Sequence, residues 1–428
     1  MDTLRIGMIG CGTVGSGVLE LLYRRREEFA QRADRPLEVA RIVVRDLGRS
    51  RHHVARYVDS DVFTADVHAV TDDPSIGLVV EVAGGIDPPR DWIVRSLTNG
   101  KDVVTANKAA MAFHGTEIFR VAAERQRAVY YEASVAAAIP IIEMIRNGLV
   151  ANQVTHLSAI LNGTCNYILT RMEEDSTDYA SALQSAQEKG FAEADPTLDV
   201  SGQDSAHKLN LLARLVTRAD ITTDDVYTEG VERIAREDIE FAASLNYRIK
   251  LLAIADRTDE GAWDLRVHPT MIRRDSLLAQ VRNEYNAVYL RTDAAGPMLA
   301  FGNGAGSLPT ASSVVADVVR AAKGDRPVHT LGGKTDVARV RIEDVILRHY
   351  IRMTVLDVPG VLGQITSLFG AKGISISSLL QPDAKAGRPV PVVVVTHEAV
   401  DSVVTETLSE LEKVGLVQAP PIRIRIED

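Results

Sequence analysis

Apolar positions fall in short blocks whose spacing changes along the chain. Leu4–Ile9 is a strand-length run closed by glycines, and Val18, Leu19, Leu21 and Leu22 then recur at helical spacing, which predicts strand, turn and helix. Leu37–Val44, Leu78–Ala83 and Val103–Thr105 are further strand-like runs, separated by helix-compatible charged stretches at Pro89–Leu97 and Phe113–Arg125. Such alternation predicts a parallel sheet covered by helices, a Rossmann-like domain over residues 1–134. Over residues 135–301 longer helices (Asp178–Lys189, Ser201–Arg218) mix with strand-like runs (Thr155–Leu161, Leu251–Ala255), an α+β domain. A small-residue helix at Thr310–Ala322 follows the loop Gly302–Gly306, so residues 302–323 are expected to return to the first domain. Residues 324–347 read as a linker, rich in Gly, Pro, Lys and Asp over Gly324–Val340. Residues 348–428 read β-α-β-β-α-β, through Tyr350–Leu356, Val361–Ala371, Ile374–Leu380, Val390–Thr396, Val400–Val414 and Ile422–Ile426, a ferredoxin-like unit. The expected class is α/β overall.

At 428 residues the chain is long enough for two or three domains. A net charge of -10 without a dense basic patch argues against a nucleic-acid partner. Cys11 and Cys165 are too few for a disulfide framework and match no zinc or redox spacing, which fits a reducing compartment. No apolar stretch reaches membrane-helix length and the first ten residues do not form a signal peptide, so no membrane partner and a cytoplasmic location are expected.

Gly10-Cys11-Gly12-Thr13-Val14-Gly15 satisfies G-x-G-x-x-G between a strand and a helix. Gly10 permits the tight turn, Gly12 lets a pyrophosphate approach the backbone, and Gly15 packs helix on strand. A carboxylate at the end of the second strand selects NAD, whereas a guanidinium there accommodates the 2′-phosphate of NADP. Arg45 precedes Asp46, with Arg49 and Arg51 beyond, which leans toward NADP and leaves NAD open.

Thr105-Ala106-Asn107-Lys108 follows a strand at the carboxyl edge of the first sheet, where open α/β sheets place their ligands. Between Gly190 and Lys208, Glu193, Asp195, Asp199 and Asp204 crowd a segment broken by glycine and proline, leading into a helix expected to be capped by Ser201 or Asp199. Asp204 and Lys208 stand four apart on one helical face; spacing alone fits a surface ion pair.

The whole set resembles the homoserine dehydrogenase family. Its signature is similar to Gly190–Lys208, with glycine, Asp-Pro, Asp, Gly, Asp and lysine at fixed intervals. Its other motifs are similar to Glu132-Ala-Ser-Val135-Ala-Ala137-Ala-Ile139-Pro140, Leu161-Asn-Gly163-Thr164-Cys-Asn166, Thr105–Lys108 and Gly304-Ala-Gly306-Ser-Leu-Pro309-Thr310, across roughly residues 4–323. Ala136–Ala138 depart from it, since the family usually has a glycine there. The resemblance implies reversible NAD(P)H-dependent reduction of L-aspartate 4-semialdehyde to L-homoserine, on the route to threonine, methionine and isoleucine. It implies Lys208 as the acid that protonates the nascent alkoxide, Lys108 as a second lysine beside carbonyl and nicotinamide, and Glu193 and Asp204, with backbone at Gly190, as holders of the substrate ammonium. Thr105, Lys108 and Gly304 join the cofactor contacts. Glu132 with the carbonyls of Val135, Ala137 and Ile139 resembles the family's monovalent cation site, usually sodium; one carboxylate with carbonyls suits a hard ion better than zinc. A positioned ammonium can both stabilise and protonate an oxyanion, so no covalent nucleophile is needed. That separates the pattern from aspartate-semialdehyde dehydrogenases, and Cys165 is read as packing.

Leu356-Asp357-Val358-Pro359-Gly360-Val361 with Ile374-Ser375-Ile376 resembles the entry of an ACT domain, over about residues 348–425. Pro359 and Gly360 form the turn, Asp357 is expected to cap the helix, and Ile365, Leu368 and Phe369 cover the sheet. The resemblance implies an amino-acid effector, threonine first, and assembly into a homodimer or homotetramer, with a purely structural module as the alternative. The rival functions are a related dehydrogenase of another amino-acid aldehyde and a non-catalytic NADP-binding sensor. The linker composition predicts few contacts between the last module and the rest, so that truncation leaves activity intact.

Overall fold

The computed structural model describes residues 2–49, 51–327, 337–382 and 387–427; residues 328–336, inside the expected linker, lie outside that description. The chain divides into two compact units, Met1–Thr155 with His207–Asp225 and Asn286–Val337, and His156–Ala206 with Val226–Tyr285 and Ala338–Asp428.

The first unit is built on β1 (Leu4–Ile9), β2 (Leu37–Val43), β3 (Phe63–Thr64), β4 (Leu78–Glu81), β5 (Asp102–Thr105) and β6 (Val129–Tyr130). They pair in parallel in the order β3-β2-β1-β4-β5-β6. Strand order therefore reverses beside β1, and the crevice outside the carboxyl ends of β1 and β4 is where a doubly wound sheet takes its ligand. Every residue of β4 is buried, because helices cover both faces and leave no polar alternation. Val18, Leu19 and Leu22 from the helix Thr13–Arg24 pack on Ile6, Met8 and Val80. The helix Ser307–Lys323 joins the same core through Ala311, Val314, Val315 and Val318. It crosses the first helix closely, since a methyl on Gly17 would meet Ser307 Oγ at 2.8 Å and Ala311 Cβ at 3.0 Å.

The second unit is organised on one mixed sheet in which Val154–Ile160, Tyr247–Arg257, Trp263–Arg273, Ile422–Glu427, Ile346–Leu356, Pro389–Thr396 and Ile376–Leu380 follow side by side. The last four strands, with helices Val361–Ala371 and Asp401–Lys413, form the ferredoxin-like module. Its own core comprises Ile351, Met353, Val355, Ile365, Phe369, Val392, Val394, Val404 and Leu411. The module is not a pendant. Its C-terminal strand pairs in parallel with Trp263–Arg273 through Thr270↔Arg425 and Met271↔Ile426. Tyr350 Oη and Arg352 Nε and Nη2 donate to the fully buried Asp238 carboxylate at 3.0, 2.7 and 3.0 Å. Arg425, 1% exposed, donates to Asp401 at 2.8 Å and to Glu229 at 2.9 Å. Part of the expected linker is also structured: Arg339–Val340 pairs with Trp263–Asp264, and a short helical turn spans Ile342–Asp344. The expectation of few crossing contacts fails, because linker composition carries no information about what the last strand pairs with.

Two local expectations also change. Asp357 does not cap the helix Val361–Ala371, whose N-cap is Gly360 without a side-chain bond; it accepts from Gln381 Nε2 at 3.1 Å. Strands at Trp263–Arg273, Tyr285–Thr292 and Gly296–Asn303 were not foreseen. Among the described residues no helix is long and apolar enough to cross a membrane.

Candidate active site

The glycine loop makes a cradle at the carboxyl end of β1. Gly10 has φ +105°, and a methyl there would meet the Val82 carbonyl at 2.8 Å; one on Gly15 would meet Gly10 O at 2.6 Å. Nothing lies within 4 Å of a methyl placed on Gly12, which leaves that face open. The following helix starts at Thr13 and Val14 with no side-chain cap and no acidic residue in its first turn. Its first amide groups and its positive end therefore suit an anion, and the residues present fit a dinucleotide pyrophosphate. Ser307 Oγ donates to Thr13 O at 2.7 Å, so the loop containing Gly304 lies against the cradle. Arg45, just beyond β2, is exposed. The Asp46 carboxylate accepts from Gly48 N at 2.8 Å, and its carbonyl from Arg51 Nη2 at 2.6 Å, which turns Asp46 into its own loop.

At the end of β5, Thr105 Oγ1 donates to Glu81 at 2.7 Å and accepts from Asn107 N at 3.0 Å. Asn107 Oδ1 caps the helix Lys108–Glu124 through Ala110 N at 3.1 Å. Lys108 is thus fixed at a helix start. Glu81, fully buried, was not singled out from sequence; burial pushes its carboxyl above the usual range. Lys208 is 9% exposed on the helix Gln203–Thr217. The Phe113 and His207 rings meet edge to face at 5.0 Å, and Arg214 Nη1 donates to Thr116 at 2.9 Å. These two contacts tie the helix that carries Lys208 to the helix that starts at Lys108.

In the second unit, Asn162 organises the carboxylates. Its Nδ2 donates to Asp199 at 2.8 Å and to Asp204 at 2.9 Å, while its Oδ1 caps the helix Gly163–Glu174 through Cys165 N at 2.8 Å. Asp204 is buried, and Thr164 Oγ1 donates to Phe191 O at 2.6 Å, tying in the Gly190–Glu193 segment. Glu193 and Gly190 are exposed. Asp199 does not cap the next helix: it sits within the short helix Thr197–Val200 and serves Asn162 and Thr164. Nor does Ser201, since Gly202 with φ +84° stands immediately before Gln203. Asn162 lies in a quoted motif, and a polar residue directly before a helix was the available signal. Cys165 is a buried thiol donating to Asp199 O at 3.2 Å.

Glu132 is buried, with both carboxylate oxygens accepting backbone amides, from Ile142 and Glu143, each at 2.8 Å. Burial pushes its pKa up to about 6, and burial with the Glu132 charge pushes Asp317 up to about 7. Ala137 O accepts from Ser313 Oγ at 2.6 Å, and Ile139 O from Ile141 N at 2.8 Å. Carboxylate and carbonyl oxygens each accept twice, so Glu132, Ala137 and Ile139 retain capacity beside Val135 for a hard cation. Among the described residues no cluster of three or more His, Cys, Asp or Glu side chains has metal-site geometry.

A phosphate cradle at the switch point of a parallel sheet, a pair of helix-borne lysines and an ACT-type module define a Rossmann-fold, nicotinamide-dependent oxidoreductase. Residues 10–132 match the NAD-binding domain model of homoserine dehydrogenase, residues 140–319 the homoserine dehydrogenase model and residues 349–413 the ACT domain model. The chain belongs to the homoserine dehydrogenase family. It is 41% identical to the homoserine dehydrogenase of Pseudomonas aeruginosa, covering 100% of this chain and 99% of that one, and 36% identical to that of Bacillus subtilis with the same coverage. Among solved structures, a homoserine dehydrogenase from Thiobacillus denitrificans superposes with a TM-score of 0.91 at 38% identity, over 100% and 99% of the two chains. One from S. aureus gives 0.78 at 31% identity, again over 100% and 99%.

Proposed function

We propose that Lys208 is the general acid and base of reversible reduction of L-aspartate 4-semialdehyde to L-homoserine, with NADP(H) preferred. The observation that carries this is a nearly buried lysine, on a helix tied through His207 and Arg214 to the one that starts at Lys108. A dinucleotide whose pyrophosphate the glycine cradle holds would supply the hydride from its nicotinamide. As the carbonyl oxygen gains negative charge, the Lys208 ammonium stabilises it and gives it a proton; in the reverse direction the neutral amine removes the hydroxyl proton. Lys108 adds a second positive charge beside the carbonyl. Asp204, Glu193 and the backbone at Gly190 hold the substrate ammonium, a role supported by the burial of Asp204 and by its orientation through Asn162. Gly10, Gly12, Thr13, Val14, Gly15, Thr105, Lys108 and Gly304 hold the cofactor, and Arg45 takes the 2′-phosphate, which the inward turn of Asp46 supports. Sodium held by Glu132 and the carbonyls of Val135, Ala137 and Ile139 would offset the burial of Glu132.

The enzyme then serves threonine, methionine and isoleucine synthesis in the cytoplasm, as a homodimer or homotetramer that binds neither nucleic acid nor membrane, with threonine acting through the ACT module. Exposed Phe301 supports assembly. The test is homoserine-dependent NADP reduction, with Lys208→Ala lowering kcat by roughly 10²- to 10⁴-fold in folded protein. Near-normal kcat in that variant would remove Lys208 from the chemistry. Arg45→Ala is expected to raise KM for NADP well above its effect on NAD; equal losses would contradict the 2′-phosphate role.

A further inference from the structure

The strand β4 is apolar until its last residue. That residue, Glu81, is fully buried at the carboxyl end of the sheet, in register with Ile9 on one side and Thr105 on the other. A carboxylate without partners is costly at such a place, and a position that needed only packing would hold another apolar side chain. The groups that meet Glu81 are donors. Ala83 N donates to Oε1 at 2.9 Å and Thr105 Oγ1 to Oε2 at 2.7 Å, with the Gly84 amide and the Asn107 side chain also directed at it. They favour the ionised form against the burial that pushes the carboxyl up.

Those donors belong to two walls of the crevice at the switch point. Ala83 and Gly84 open the turn after β4, and a methyl on Gly10 would meet Ala83 N and the Val82 carbonyl at 2.8 Å. The turn that Glu81 holds is therefore the one against which the phosphate cradle packs. Thr105 ends β5, and Asn107 caps the helix that starts at Lys108. The Thr105 hydroxyl has a single proton. Because Glu81 accepts it, a lone pair of the same oxygen faces Asn107 N at 3.0 Å. Asn107 Nδ2 donates to Gly85 O at 2.9 Å and Oδ1 accepts from Ala110 N at 3.1 Å, which ties the turn after β4 to the first turn of the Lys108 helix.

We propose that Glu81 is a positioning residue of the dehydrogenase reaction, fixing through Thr105 and Asn107 where Lys108 leaves the sheet relative to the dinucleotide cradle. It acts through these side chains and not on the reacting atoms. Displacing a group beside the reacting atoms by about 1 Å can slow a reaction about 10²-fold, so a brace of this kind bears on rate more than on substrate affinity. Glutamine cannot take its place. Its one carbonyl serves either Thr105 or Ala83, and its NH2 then sets a donor against the donor on the other side.

This inference rests on Lys108 standing beside the carbonyl, and a mutant cycle separates the two. Homoserine oxidation with NADP and thermal melts are measured on the full-length chain for Glu81→Gln, Lys108→Ala and the double variant. Glu81→Gln is expected to lower kcat about 10- to 100-fold with KM for homoserine within about three-fold, and the double variant to be no slower than Lys108→Ala. A residue that only supports the fold would lower Tm and leave kcat of the folded protein in place. Thr105→Val removes the same bond without setting a second donor in the core, and it carries the cycle where Glu81→Gln does not fold. Parent kcat in both Glu81→Gln and Thr105→Val, with Lys108→Ala slow, would overturn the inference and leave the reading of Lys108 standing. Losses that multiply in the double variant would overturn the route through Lys108. Parent kcat in Lys108→Ala would overturn both.

Discussion

Ala136 and Ala137 hold φ +51° and +41°, the left-handed region in which a Cβ crowds the following carbonyl at ~1–2 kcal/mol per residue. Both are buried, in the segment between Glu132 and Ile139. Replacing Ala136 by Gly removes that strain while losing a buried methyl, about 0.8 kcal/mol, and adding backbone entropy to the unfolded chain, about 0.5–1 kcal/mol. Ala311, equally buried in a helix, has no strain to relieve. Ala136→Gly is therefore expected within about 0.5 kcal/mol of the parent and Ala311→Gly about 1.3–1.8 kcal/mol below it, read from denaturant midpoints; equal losses would mean that the loop is unstrained. The absence of a glycine at residues 136–138 was legible in the sequence. Its consequence was not, because φ is set by what closes the loop, including Ser313 on Ala137 O. Asn162 was overlooked for a similar reason: its partners Asp199 and Asp204 are 37 and 42 residues away.

Helices of the first unit were readable where they present an apolar stripe to the sheet, and its longer strands as short continuous apolar runs; Leu4–Ile9 there, and the helix Val361–Ala371 in the second unit, were placed to the residue. Tyr247–Arg257 was foreseen only at its apolar centre and Trp263–Arg273 not at all. Both are buried on two faces: in the second, Trp263, Leu265, Val267 and Met271 alternate with Asp264, Arg266, His268 and Thr270, which are buried as well, as is Lys250 in the neighbouring strand. Polar residues at such positions read as surface until their partners are known: Lys250 Nζ donates to Asn166 Oδ1 at 2.7 Å and to Val281 O at 2.6 Å. Burial pulls the Lys250 ammonium down to about 7. Between that value and the ordinary lysine range near 10.4 the unfolded chain binds the extra proton, so this residue's contribution to stability rises with pH across that window. Lys250→Met is expected to gain stability over wild type most at pH 7 and progressively less toward pH 10, measured as the difference in Tm. A difference independent of pH would show that the lysine stays charged in the fold.

At the scale of the whole molecule, the ACT module shares a sheet with the strands beside it, and its removal is a structural event. Truncation after Asp325 would strip the Trp263–Arg273 strand of its partner Ile422–Glu427, exposing Met271 and Ile272, now 0% and 5% accessible. Asp238 would lose three bonds from Tyr350 and Arg352, and Glu229 its contact with Arg425. A buried charge left without its partner costs ~3–5 kcal/mol, and an unpaired strand edge invites association between chains. The truncated protein is therefore expected to aggregate or to melt on the order of 10 °C or more below the full chain, since ~1 kcal/mol moves Tm by about 2–4 °C at this size. Size-exclusion chromatography and thermal melts of the two forms decide it. A soluble, fully active truncation with unchanged Tm would mean that the seam carries little stability. In the expected case, loss of effector response on truncation reports the lost seam and not regulation.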